Sequence, residues 1–273
     1  VKNLTSDLLA PGDGRSATLS VSDFVWTRIR GTDDPAFERA YAVLWAEFGE
    51  AHEMETREVL AERFRLGSRF RYEMLLVEKD GAVCAVRDHT AVWMDGSVVV
   101  HLSHVYVVPE QRRTGLAGWL RAAPIVTARE LAADCGDAKA DITLVGEMEY
   151  DDGSDPRRAI RLAAYEKAGY RKIDPGEVDY HQPDFRTPSD IDASGGPVPI
   201  PFQLIVRRVG REMESSIDGI EVRKLVAALF AIYGAQFRVA DMQHALLNTE
   251  RLPAPGKTVA LVAPTRPDTR RAL

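Results

Sequence analysis

The residues with the clearest chemical potential lie between Val105 and Leu120. A β-branched run ending in Val105, Val107 and Val108 reads as a buried strand. Pro109 stops it, because proline has no N–H to add to a ladder. A basic turn of Glu110, Gln111, Arg112 and Arg113 follows, and Thr114, Gly115, Leu116, Ala117 and Gly118 then open a helix. The first N–H groups of a helix lack intrahelical partners and carry partial positive charge. Gly115 and Ala117 have little or no side chain, so an anion could approach the backbone closely. Arg112 and Arg113 add full charges. The chemistry on offer is phosphate binding. The stretch lacks the Gly-Lys-Ser/Thr ending of a P-loop, which argues against a Mg-nucleotide, and lacks the complete G-x-G-x-x-G of a dinucleotide fold.

Composition narrows the field. The 273 residues suffice for one large domain or two small ones, and an apolar fraction of 45% suits a globular chain with a sizeable core. The net charge of −6 argues against a nucleic-acid partner and mildly favours cationic ligands. Cys84 and Cys135 make no disulfide framework; they fit a reducing, cytoplasmic setting, with burial expected for both. Cysteines and histidines show no ligand spacing, so no metal is expected. No apolar run is long enough to span a bilayer, and the first residues show no basic-then-apolar signal pattern, so no membrane partner is expected.

The elements that must position the basic turn can be read in order. Residues 1–20 are polar and contain Pro11-Gly12-Asp13-Gly14; they are expected to be loose or to lie over the surface. Residues 24–30 alternate as a strand. Asp34 and Pro35 read as N-cap and first helical residue, ahead of Phe37, Ala40, Tyr41, Leu44, Trp45 and Phe48 at helical spacing. A second helix is expected over residues 55–65. Residues 70–79 and 82–94 read as strands joined at Asp80-Gly81, with Asp95-Gly96 turning into the strand that ends at Val108. The helix from Thr114 contains Pro124, which is expected to kink or split it. Residues 138–150 hold a further alternating strand, and Asp155-Pro156 begins a helix that ends at Gly169. A long loop over residues 182–201 leads to a strand over residues 202–209. Helices are expected over residues 219–233 and 240–248, and a strand over residues 258–262.

The strand, proline and turn together resemble motif A of the GNAT acyltransferases, the GCN5-related N-acetyltransferases. That motif is an apolar V-x-P strand followed by [Q/R]-x-x-G-x-[G/A]. It is matched by Val107-Val108-Pro109 and by Arg112-Arg113-Thr114-Gly115-Leu116-Ala117. The segment Ala164-Tyr165-Glu166-Lys167-Ala168-Gly169-Tyr170 resembles the family's motif B, F-Y-E-K-x-G-F. The resemblance covers about residues 24–209. It implies the α+β GNAT fold, a mixed, mostly antiparallel twisted sheet flanked by helices. It places an N-terminal arm at residues 1–22, the acyltransferase domain at 23–210 and a C-terminal helical extension at 211–273. A helical cap and a homodimer contact are equally open readings of that extension.

The resemblance also implies acetyl-CoA as co-substrate. Its pyrophosphate would be held by the backbone of Val105, Val107, Arg112, Arg113, Thr114, Gly115, Leu116 and Ala117. Tyr165 would stand near the sulfur and protonate the leaving thiolate, a role that suits a phenol. Arg158 stands where many members carry an asparagine that bonds the pantetheine; it or Arg161 could instead meet a CoA phosphate. An attacking amine must lose a proton. Glu147 is the first candidate base, followed by Glu149, His101 and His104, while His52 and Glu53 could face a substrate. The acidic cluster of Glu147, Glu149, Asp151 and Asp152 hints at a cationic acceptor, though such runs are commonly solvated turns. Two function classes follow. One is an N-acetyltransferase acting on the amine of an unidentified small molecule. The other is a GNAT-fold module that binds CoA without catalysis, in regulation or assembly.

Overall fold

The computed structural model of the protein describes residues 3–49 and 54–267, and the chain divides into two compact units, Val1–Ile142 and Thr143–Leu273. The first unit runs α1 (Gly14–Ala17), β1 (Val25–Ile29), α2 (Phe37–Leu44), α3 (Arg57–Arg63), β2 (Phe70–Lys79), β3 (Ala82–Trp93), β4 (Ser97–Val107) and α4 (Leu116–Asp134). Strands β1 to β4 pair antiparallel in sequence order. The two Asp-Gly turns make this possible. Asp80 and Gly81 have φ of 51° and 79°, and Asp95 and Gly96 have 44° and 86°. Positive φ at both central residues gives a turn whose twist matches that of the strands.

Period-two alternation then sorts the side chains onto two faces. Met74, Leu76 and Val86 meet Phe37, Ala40 and Leu44 of α2 and Leu60 of α3. Val77 and Ala85 meet Leu116 and Leu120 of α4. One local expectation is corrected and one alternative is removed. Helix α2 begins at Phe37, not at Pro35; Asp34 instead closes a turn by accepting from the Ala36 N–H at 2.9 Å. Pro124 does not split α4, which continues through it for 19 residues. Proline already has a helical φ, so only one backbone bond and some steric relief are lost, about 3 kcal/mol. Burial of Leu116, Trp119, Leu120, Ile125, Val126 and Leu131 on the same helix outweighs that cost.

The second unit runs β5 (Asp141–Met148), α5 (Pro156–Lys167), β6 (Arg171–Ile173), β7 (Tyr180–Gln182), α6 (Pro188–Ala193), β8 (Ile200–Arg208), β9 (Ser216–Asp218), α7 (Gly219–Gly234), α8 (Val239–Thr249) and β10 (Thr258–Val262). Its strands are ordered β5-β8-β6-β10-β9, with β7 also on β8, and every pair is antiparallel. Asp155 caps α5 through the Arg157 N–H at 2.9 Å, as the Asp-Pro pair predicts. The extension is more than helical: β10 pairs Leu261 with Ile173 and so enters the sheet. His52 and Glu53 lie outside the described residues. Among the described residues no helix is long and apolar enough to cross a membrane.

One polar lattice ties the first unit together. Glu73 is buried under α4 and accepts from Arg28 Nε at 2.9 Å, Arg30 Nε at 2.8 Å and Thr127 Oγ1 at 3.1 Å. Burial alone would raise the Glu73 carboxyl; the His89 ring and the two guanidinium groups outweigh it and hold the carboxyl below its ordinary value. A lowered folded value stabilises above the unfolded value and is lost as pH falls through the folded one. Glu73→Gln is therefore expected to cost about 3 kcal/mol in urea unfolding at pH 7, and the gap to wild type should narrow in acid.

Candidate functional site

The turn after β4 has the backbone of an anion cradle. Pro109–Gln111 form a single 3-10 turn, and Gly115 then caps α4 at φ 107°. Arg113, two residues earlier, also has positive φ, 66°. Left-handed residues alternating with right-handed or extended ones turn successive N–H groups to one side, which makes a concavity for an anion. Among the described residues, the N–H groups of Arg113, Thr114, Gly115 and Ala117 donate to no protein acceptor. The Leu116 N–H makes only a long contact with Thr114 Oγ1 at 3.4 Å. Arg112 is held beside the turn by its Nε bond to the Val107 carbonyl at 3.0 Å, with its guanidinium 5.9 Å from the centre of the Tyr106 ring. Val105 and Val107 themselves pack into the apolar cluster around Leu116 and Leu120. Free amides beside two arginines fit a diphosphate.

The N-terminal segment is not loose. Helix α1 lies against the start of α4. A Cβ on Gly115 would sit 2.7 Å from the Arg15 carbonyl oxygen, and one on Gly118 would sit 2.0 Å from Ser16 Oγ. The empty space at these two glycines is thus filled by the protein's own chain. Sequence reasoning missed this contact. The signal was there in Gly115 and Gly118, three apart on one helix face, beside the indole donor of Trp119.

In the second unit Tyr165 is buried on α5 and meets Tyr170 edge to face, ring centres 4.9 Å apart. Glu147 is not a solvated carboxylate. It accepts from the Tyr180 and Tyr233 hydroxyls and from Gln182 Nε2 at 3.1 Å. Phe185, Tyr233 and Phe237 pack together beside it, Phe185 and Phe237 stacked 5.2 Å apart. Three donors satisfy most of what a carboxylate can accept. The acidic cluster is largely neutralised from α5: Glu149 accepts from Arg158 at 2.8 Å and Arg161 at 3.0 Å, and Asp152 from Arg158 at 2.8 Å. Neither arginine is simply solvated.

The first unit holds a buried carboxylate paired with a histidine. Asp88 Oδ1 accepts from His104 Nδ1 at 3.0 Å and from the His104 backbone N–H at 2.7 Å, while Oδ2 accepts from the Tyr72 hydroxyl at 3.0 Å. These contacts arise where the register of β3 and β4 shifts, between Arg87 and His89. A carboxylate only accepts, so His104 Nδ1 carries the proton in this bond. Burial would raise the Asp88 carboxyl, but the adjoining His104 and its two N–H donors hold it far below its ordinary value. Glu55 and Arg63 form a buried ion pair within the same electrostatic cluster. Phe48 tilts over the imidazole at 5.2 Å. His101 is buried, with Ser103 Oγ 3.4 Å from its Nδ1. His89, on the opposite face, contacts Thr127 Oγ1 at 2.9 Å, and burial pushes its ring down to about 4. It is neutral and structural at pH 7.

No family model and no curated protein matches the chain. Solved structures do resemble it. The ribosomal-protein-S18-alanine N-acetyltransferase of Escherichia coli is 16% identical over 68% of this chain and 94% of its own, with a TM-score of 0.39. A GNAT family acetyltransferase from Elizabethkingia anophelis with acetyl-CoA bound is 14% identical over 68% and 98%, TM-score 0.37. An acetyltransferase from Streptococcus agalactiae is 10% identical over 68% and 98%, TM-score 0.41. The antiparallel meander, the V-x-P strand leading through a glycine turn into a long helix, and the strand and helix carrying Tyr165 follow one another in the order that the motif resemblance implies.

Proposed function

We propose that the protein is an acetyl-CoA-dependent N-acetyltransferase that moves the acetyl group to an amine of a small molecule by direct attack. The observation that carries this reading is the set of amides at Arg113, Thr114, Gly115 and Ala117, beside Arg112, that find no acceptor among the described residues. Residues 23–210 form the acyltransferase segment, residues 1–22 an arm and residues 211–273 an extension. The diphosphate of coenzyme A lies on these amides, and the thioester supplies the activated acyl carbon. The amine nitrogen bonds to that carbon, and the carbon–sulfur bond breaks. His104, whose ring Asp88 orients through Nδ1, takes the proton the amine gives up. The Tyr165 hydroxyl gives a proton to the departing thiolate. Glu147, the first choice from sequence, is less suited to be the base because Tyr180, Tyr233 and Gln182 already occupy its oxygens.

Release of free thiol from acetyl-CoA across a panel of amines tests the reading. Turnover with one class of amine supports it; coenzyme A binding with no turnover across the panel supports the non-catalytic module instead. Tyr165→Phe is expected to lower kcat about 100-fold while leaving the Kd for coenzyme A within twofold. An undiminished kcat would remove the acid role. His104→Gln should lower kcat by a similar factor, and Glu147→Gln much less; the reverse ranking would return the base to Glu147.

A further inference from the structure

Resting on the reading of residues 112–117 as a diphosphate cradle, we propose that the N-terminal turn α1 sets the shape of that cradle, with Ser16 and Arg15 as its positioning residues. In a planar trans peptide the carbonyl and the N–H point to opposite sides. The Arg113 carbonyl shares its peptide with the Thr114 N–H, and the Gly115 carbonyl shares its peptide with the Leu116 N–H. Arg15 Nη1 donates to the Arg113 carbonyl at 2.9 Å, and Ser16 Oγ donates to the Gly115 carbonyl at 2.7 Å. Both carbonyls are therefore drawn toward α1, and both N–H groups are turned away from it. The same two bonds steady a backbone that includes Arg113 at φ 66°, a conformation that costs a non-glycine residue about 1 kcal/mol or more.

Helix α1 is itself anchored to the next turn of α4. Trp119 Nε1 donates to the Ser16 carbonyl at 2.7 Å, and Arg121 Nη2 donates to Asp13 Oδ1 at 2.6 Å. Gly115 and Gly118 permit this approach because neither carries a Cβ. Ser16 is only 3% exposed, so it acts through the Gly115 carbonyl and not by touching a ligand. Arg15 is exposed and reaches the loop through its guanidinium.

The test compares binding of coenzyme A with binding of pantetheine, which lacks the diphosphate and nucleotide, to the full chain and its Ser16→Ala, Arg15→Met and Arg15→Lys variants. Ser16→Ala and Arg15→Met should each weaken coenzyme A about fivefold and leave pantetheine unchanged, with Arg15→Lys recovering part of the loss. The KM for acetyl-CoA should rise by the same factor with kcat within twofold. Coenzyme A affinities equal to wild type in Ser16→Ala and Arg15→Met would overturn the inference. So would equal losses for coenzyme A and pantetheine, since general loosening of the fold moves both. Arg15→Met, at an exposed position, keeps the test open if Ser16→Ala fails to fold. Wild type that binds no coenzyme A would overturn the cradle itself, a distinct outcome.

Discussion

A peptide group cannot turn its carbonyl and its N–H to the same side. The turn after β4 is built on that constraint. Its carbonyls at Arg113 and Gly115 are claimed by Arg15 and Ser16, and the amides of the same peptides face the other way. Two left-handed residues, Arg113 and Gly115, make the alternation possible. The rest of the first unit holds this short loop still. Strand β4 delivers it from the centre of one apolar cluster, and Leu116 and Leu120 fix the helix that leaves it.

The polar groups buried in the first unit divide by what surrounds them. Glu73 is ringed by Arg28, Arg30 and Thr127, and every partner serves the packing of α4 on the sheet. His89 belongs to this lattice. With its ring driven down to about 4, it holds no proton to exchange near neutrality. The Asp88–His104 pair on the other face is different in kind. A buried carboxylate that accepts from both the ring and the backbone of one histidine fixes the ring's orientation.

Much of this was legible in the sequence, for reasons of locality. Asp-Gly pairs announce hairpins through their own backbone preferences, and both hairpins form. Asp155-Pro156 caps its helix through a bond two residues long. Chain elements far apart in sequence decide the rest. That Gly115 admits Arg15 depends on a contact spanning about a hundred residues, which no periodicity reveals. Tyr180, Gln182 and Tyr233 converge on Glu147 from a short strand and a helix beyond it, so a carboxylate that reads as solvated is enclosed. At Pro124 the split that a local rule allows does not occur, because the whole helix is buried around it.

The central claim is that the amides of Thr114, Gly115 and Ala117 grip the diphosphate of coenzyme A. A crystal structure of the protein grown with coenzyme A tests it most directly. Diphosphate oxygens are expected within hydrogen-bonding distance of those three nitrogens, with Ser16 still bonded to the Gly115 carbonyl. Coenzyme A bound elsewhere, or bound with those amides facing solvent, would contradict it.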